Sequence, residues 1–68
     1  MNKKTGIKLE GYKNTWSEIS STIRNGQRYF LMENDVWGDE TCAVVVNAEN
    51  KPICTTYDDI ETALDDLF

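Results

Sequence analysis

The sequence predicts an α+β domain: a four-stranded antiparallel sheet of two hairpins, with one C-terminal amphipathic helix packed on one face. Three observations predict it. An Asn25-Gly26 pair lies between segments with apolar residues, β-branched residues occupy positions 44–46, and apolar residues from position 60 onward have helical spacing. At 68 residues the chain forms at most one domain, and its core is thin.

The first hairpin follows from Asn25 and Gly26, which tolerate the positive φ angles of a type I′ turn. A two-residue turn pairs Ile23 with Arg28, Ser21 with Phe30, and Ile19 with Met32. These pairs place four apolar side chains on one face of the hairpin: Ile19, Ile23, Phe30 and Met32. Residues 15–25 also fit a helix, since Thr15 and Glu18 match a capping box. The poor helix formers at positions 20–22 favour the strand.

Residues 42–46 and 53–55 form the second predicted hairpin, joined by a turn at residues 47–52. Pro52 suits the first position of a strand or an edge strand. Residues 1–14 form a basic arm that precedes the domain at residues 15–68. A short edge strand near Ile7 and Leu9 and a frayed terminus both fit this arm.

The C-terminal helix is predicted from the apolar stripe Ile60, Ala63, Leu64 and Leu67. Thr56 is the predicted N-cap of this helix. Asp58, Asp59 and Glu61 lie near its N-terminus, where negative charge stabilises the helix dipole.

The net charge of −5 is unevenly distributed along the chain. Residues 1–28 hold six Lys and Arg residues against two Glu, whereas residues 29–68 hold one Lys against ten Asp and Glu. Nucleic-acid binding requires a basic face with aromatics, so the acidic body predicts a basic protein partner and no direct nucleic-acid binding. No apolar run is long enough for a signal peptide or a membrane span, which predicts a cytoplasmic protein. Cys42 and Cys54 are then expected to be reduced, buried residues.

Catalysis, cofactors and a metal centre are not expected. The sequence contains no histidine, the side chain most used for proton transfer and metal binding near neutral pH. Two cysteines do not complete a zinc site. The four glycines do not form a phosphate-binding loop.

The acidic stretch "ENDVWGDET" at residues 33–41 has three interpretations. It is a connection between strands, a recognition loop anchored by Trp37, or an irregular calcium site at residues 33–40. A regular calcium loop does not fit, because a count from Glu33 places Val44 where the bidentate glutamate belongs. An exposed tryptophan among carboxylates has the composition of an interface anchor.

The segments "YFLMEN", "GDET" and "YDDIETAL" resemble those of short accessory proteins encoded on conjugative transposons and related mobile elements of Firmicutes. The resemblance covers about the last forty residues of the chain and implies an accessory protein of a Gram-positive cytoplasm. It carries no activity over to individual residues.

The sequence therefore predicts a small acidic protein-interaction or accessory module without catalysis. Its predicted contact residues are Asp35, Trp37, Asp39, Glu40, Asp58, Asp59 and Glu61. The alternative is a ligand- or calcium-binding domain that uses residues 33–40. Self-association is a third possibility, because a thin core leaves apolar surface to bury.

Overall fold

The computed structural model describes residues 3–36, 43–56 and 59–68. Its elements in chain order are β1 (Ile7–Lys8), β2 (Thr15–Arg24), β3 (Gln27–Asn34), β4 (Ala43–Asn47), β5 (Pro52–Thr56) and α1 (Ile60–Leu67). The strands form one antiparallel sheet in sequence order, curled into a half-barrel.

The predicted four-stranded sheet is wrong, because the described residues form five strands. The additional strand is β1, which pairs Ile7 with Trp16 and Lys8 with Thr15. The chain returns from β1 to β2 through a turn in which Gly11 has a φ of 88°. A strand of two residues is too short to produce a hydrophobic period in the sequence.

The first predicted hairpin is confirmed, so residues 15–24 form a strand and not a helix. β2 and β3 are joined by Asn25 and Gly26, with φ angles of 54° and 79° as a type I′ turn requires. The register matches the prediction near the turn, where Ile23 pairs with Arg28 and Ser21 with Phe30.

Further along β2, a β-bulge changes the register. The pairing shifts between Glu18 and Ser20, so Met32 lies opposite Glu18 rather than Ile19. The predicted pairing of Ile19 with Met32 is therefore wrong, and Ile19 and Ile23 are 44% and 58% exposed. The bulge leaves Ile19 outside the ladder. Ile23 lies opposite Arg28, beyond the last β3 residue that pairs with β4.

The second predicted hairpin is also confirmed, as β4 and β5. Val45 pairs with Cys54 and Val46 with Pro52, so a second bulge leaves Ile53 unpaired. In the connecting turn, the Asn47 side-chain oxygen accepts bonds from the backbone N–H groups of Glu49 and Lys51, at 2.9 and 3.1 Å.

The two faces of the sheet carry separate apolar clusters, because side chains alternate along each strand. We call the first the helix face: Tyr29, Leu31, Val45, Ile60, Ala63 and Leu64. We call the second the arm face: Leu9, Trp16, Phe30, Met32, Val44 and Val46. Ile7 and Tyr12 pack against the arm face, and the Tyr12 and Trp16 rings meet edge to face at 5.0 Å.

The helix occurs where the sequence predicts it, but its N-cap is not Thr56. Thr56 is the last residue of β5, and the capping residue is Asp59, whose carboxylate accepts a bond from the Thr62 backbone N–H at 2.8 Å. Ile60, Ala63 and Leu64 are buried against the sheet.

Candidate functional site

The outward side of α1 is the most acidic surface that the structure describes. Since Ile60, Ala63 and Leu64 face the sheet, helical periodicity turns the polar residues between them toward solvent. We call this the acidic helix surface: Asp59, Glu61, Asp65 and Asp66, all exposed.

Arg24 of β2 contacts two of these carboxylates. Its Nη2 atom lies 2.9 Å from Glu61 Oε2, and its Nη1 atom lies 2.8 Å from Asp65 Oδ1. The Thr22 hydroxyl donates a further bond to Glu61 Oε1. Hydrogen bonding to Asp65 and then Glu61 raises the pKa of the Arg24 guanidinium above its ordinary value, against the effect of desolvation. One cation thus orients two carboxylates without neutralising the surface.

Asp59 and Asp66 differ in what they contact. The backbone N–H and hydroxyl of Thr62 hold the pKa of Asp59 below its ordinary value. Asp59 therefore stays ionised as the N-cap. Asp66 lies near the half-buried thiol of Cys54, whose pKa is raised by burial and then by the Asp66 charge. A thiol held protonated behaves as a small apolar residue, and Cys54 packs against the helix face.

Asp35 lies away from the helix, at the other end of β2. Its carboxylate accepts bonds from the Ser17 hydroxyl at 2.6 Å and the Thr15 hydroxyl at 2.7 Å. These bonds, with Ser17 first, lower the pKa of Asp35. Because each strand residue advances about 3.3 Å, Ser17 and Thr22 are roughly 16 Å apart. The structure does not bring Asp35 together with Asp59 and Glu61.

The other predicted contact residues, Trp37, Asp39, Glu40 and Asp58, lie outside the described residues, as does Cys42. The calcium interpretation of residues 33–40 therefore falls mostly on positions without a description. Within residues 3–36, 43–56 and 59–68, no three His, Cys, Asp or Glu side chains are grouped to hold a metal ion.

Three residues that contribute to the surface around α1, Arg24, Leu67 and Phe68, were not predicted from the sequence. Leu67 and Phe68 are 41% and 65% exposed at the end of the helix, and the Phe68 ring lies 5.9 Å from the Tyr29 ring. Arg24 precedes Glu61 by 37 residues, so no local pattern relates the two. The only sequence signal for Leu67 was its place in the apolar stripe, which predicted burial instead.

Comparison with known proteins identifies a family to which the chain is similar. A family model, large polyvalent protein-associated domain 18, matches residues 1–67. The chain belongs to this family. Large polyvalent protein-associated domain 18 is a domain of mobile-element and phage-related proteins, which confirms the mobile-element association but not the Firmicutes transposons. No curated protein and no solved structure matches the chain.

Membership of this family extends through residues 1–14, so the match includes β1 and the segment that packs on the arm face. Among the described residues, no helix is both long enough and apolar enough to span a bilayer.

Proposed function

We propose that the chain is a non-catalytic protein-interaction module of a mobile-element protein, and that it binds a basic protein through the acidic helix surface. One observation carries the proposal. Four exposed carboxylates lie on α1 and its N-cap, and among the described residues only two of them, Glu61 and Asp65, form an ion pair, both with Arg24. The exposed side chains of Leu67 and Phe68 lie at the end of the same helix.

This combination supplies the two parts of a protein interface. Aromatic and aliphatic side chains supply the desolvated anchor of an interface, while the charged rim sets orientation and partner choice. Phe68 and Leu67 serve as the anchor here. The carboxylates attract a basic partner and speed its association, because complementary charge steers diffusional encounter.

The proposal includes a Gram-positive cytoplasmic setting on a conjugative element, as the sequence resemblance implies. It includes neither direct nucleic-acid binding nor a membrane contact, since the excess charge of the chain is negative. Self-association is the competing use of the same exposed apolar side chains. Nothing among the described residues favours the calcium-binding alternative, because Thr15 and Ser17 already bind the Asp35 carboxylate.

The test is capture of basic proteins from an extract of a host that carries the mobile element. The bait is the wild-type chain or a variant that combines Asp65→Asn, Asp66→Asn and Phe68→Ser. The matched control combines Glu10→Gln and Glu49→Gln, which remove the same number of charges from exposed positions elsewhere. Bound proteins are quantified by mass spectrometry, and circular dichroism checks that each bait is folded.

We expect the wild type and the control to retain the same basic proteins, and the helix variant to lose them. Raising the salt from about 0.1 M to about 1 M should release them as well, because the screening length falls from about 10 Å to about 3 Å. Equal retention by the helix variant would contradict the proposal. Release of the partner by the control variant would place the contact elsewhere.

A further inference from the structure

Among the described residues, the second half of β2 forms an open edge of the sheet. β2 has ten residues, but β1 pairs only with Thr15 and Trp16. One further bond, from the Glu18 backbone N–H to the Lys4 carbonyl at 2.8 Å, extends that contact. From Ser20 to Arg24, no described strand pairs with β2 on the side away from β3.

The backbone groups on this edge have a definite pattern. Pairs in an antiparallel ladder alternate between bonded and non-bonded, and the Arg24–Gln27 pair that closes the two-residue turn is bonded. Thr22 is therefore bonded to Tyr29. Ser21 and Ile23 direct their N–H and C=O groups away from β3, toward the space where a further strand would lie.

The two edges of the sheet differ in their protection against strand addition. β5 begins with Pro52, which has no N–H, and its bulge at Ile53 interrupts the edge. Residues 20–24 of β2 contain neither proline nor lysine and lie beyond the bulge at Ile19. Ile23 is the more exposed of the two β2 isoleucines, so the β2 edge also presents an apolar side chain.

Arg28 indicates what kind of segment fits. It lies opposite Ile23, and its Nη1 atom is 3.3 Å from the Ser21 hydroxyl, which it uses as an acceptor. No carboxylate within the described ranges forms an ion pair with Arg28, whereas Arg24 on the other face of β2 is bound to two. An added strand would therefore place one of its residues beside the exposed Ile23 side chain. Another would lie beside the Arg28 guanidinium, which has no acidic partner within the described ranges.

We propose that residues 20–24 of β2 form a strand-addition site. Its occupant is an extended partner segment with an aliphatic residue and a carboxylate two positions apart. Residues two apart share a face of a strand, so the aliphatic side chain contacts Ile23 while the carboxylate contacts Arg28. Main-chain bonds to Ser21 and Ile23 supply affinity, and the two side chains supply selectivity. Thr22 and Arg24 of this segment also contact the acidic helix surface, but the strand-addition site uses the backbone edge and the side chains of Ile23 and Arg28. Its partner also differs, because it carries negative charge.

The probe is a synthetic peptide in which Val-Thr-Glu-Thr is repeated twice, added at up to about 1 mM to the isotope-labelled chain. NMR spectra follow amide shifts and amide hydrogen exchange. We expect exchange at Ser21 and Ile23 to slow by about tenfold or more when the site is saturated, because both amides gain bonds. Exchange at Thr22, already bonded to β3, should change little. A peptide with glutamine in place of glutamate should bind more weakly.

Three variants of the chain sharpen the test. Ser21→Pro removes an outward N–H without removing a ladder bond, and Ile23→Lys places a charge on the edge. Both should abolish the slowed exchange, which is measured at residue 23 in Ser21→Pro and at residues 21 and 23 in Ile23→Lys. Ile53→Lys on the β5 edge is the matched control and should leave it unchanged. Arg28→Gln should bind the glutamate and glutamine peptides equally.

Absence of slowed exchange at Ser21 and Ile23 at the highest peptide concentration would overturn the proposal. So would equal binding by Ile23→Lys, which tests the site even if Ser21→Pro does not fold. Protection of both amides in the chain alone, rising with protein concentration, would show that a second copy occupies the edge and would overturn the assigned occupant.

Discussion

The helix face and the arm face of the sheet are equally well buried from solvent, but different kinds of structure cover them. The helix face is covered by α1, an eight-residue helix. The arm face is covered by residues around Ile7, Leu9 and Tyr12, which include only a two-residue strand. Leu64 on one side and Leu9 on the other are 0% and 1% exposed. An irregular segment can therefore bury a core as completely as a helix does.

The two covers are held in different ways. The helix is held by its apolar stripe, its Asp59 cap and the Arg24 ion pairs. The N-terminal segment is held at Lys4, whose backbone N–H and C=O bond to Glu18 at 3.2 and 2.8 Å. The Lys4 Nζ atom lies 2.9 Å from Asn50 Oδ1 and 4.8 Å from the centroid of the Phe30 ring.

Truncation of Trp16 tests whether the arm face is a true core. Trp16 is the largest fully buried side chain among the described residues, so Trp16→Ala should cost about 3–5 kcal/mol of unfolding free energy. A chain of this size rarely has more than about 3–5 kcal/mol in total, and the variant should be largely unfolded. Circular dichroism with urea titration measures this. Ile23→Ala, at an exposed position, is the control, and a folded Trp16→Ala chain would contradict the importance of this face.

A pair of leucine truncations compares the two covers directly. Leu9→Ala and Leu64→Ala should each cost about 2–5 kcal/mol, because each leaves a cavity behind a buried leucine. Urea unfolding of both variants gives the two values under the same conditions. A loss for Leu64→Ala alone would mean that the N-terminal segment is detached in solution.

The Lys4 contacts are expected to contribute less to the free energy of unfolding than the buried leucines do. Lys4→Met keeps the aliphatic stem and the backbone bonds but removes the charge over Phe30 and the bond to Asn50. We expect a loss of about 1 kcal/mol, typical of one hydrogen bond and one cation–π contact at a partly exposed site. Lys3→Met, at an exposed neighbouring position, should leave the melting temperature unchanged. Equal effects of the two substitutions would show that only the net charge matters.

The smallest expected effect concerns pH and the helix face. The folded-state pKa of Asp59 is lowered, so its contribution is present above the unfolded-state pKa of about 4 and is lost as pH falls through the folded-state pKa. Urea midpoints should therefore decrease on acidification below about pH 4. Asp59→Asn retains a capping side chain without its charge, so it should flatten this dependence. Asp66→Asn is the control for loss of one helix charge, and an unchanged profile for Asp59→Asn would assign the dependence to other groups such as Asp35.

The parts of the fold that the sequence predicts are those with local signals. Asn25-Gly26 predicted the first hairpin, and the spacing of Ile60, Ala63 and Leu64 predicted the helix. β1 occurs where the sequence allowed a short edge strand near Ile7 and Leu9, but two residues define no period, so a frayed terminus fitted the same segment. The bulge at Ile19 was not predicted, because the register of an ideal hairpin contains no extra residue.

The candidate site was predicted less well for a related reason. Composition alone identified Asp59 and Glu61 as acidic surface residues, and both lie on the acidic helix surface. Their individual contacts depend on chain segments that meet only in the folded protein. Arg24, which orients Glu61 and Asp65, comes from a strand far away in sequence, and the exposure of Phe68 depends on where the helix ends over Tyr29.

The bulge at Ile19 also determines toward which face of the sheet the side chains in each half of β2 point. Trp16 and Arg24 are eight positions apart, an even spacing, so in a regular strand both would point to the same side. The inserted residue reverses this parity. Trp16 joins the arm face while Arg24 reaches Glu61 and Asp65 on the opposite side. A single unpaired residue thus lets one strand place Trp16 in the arm face and Arg24 beside the helix. Deletion of Ile19 would put both side chains on the same side, so either the Trp16 packing or the Arg24 ion pairs would be lost.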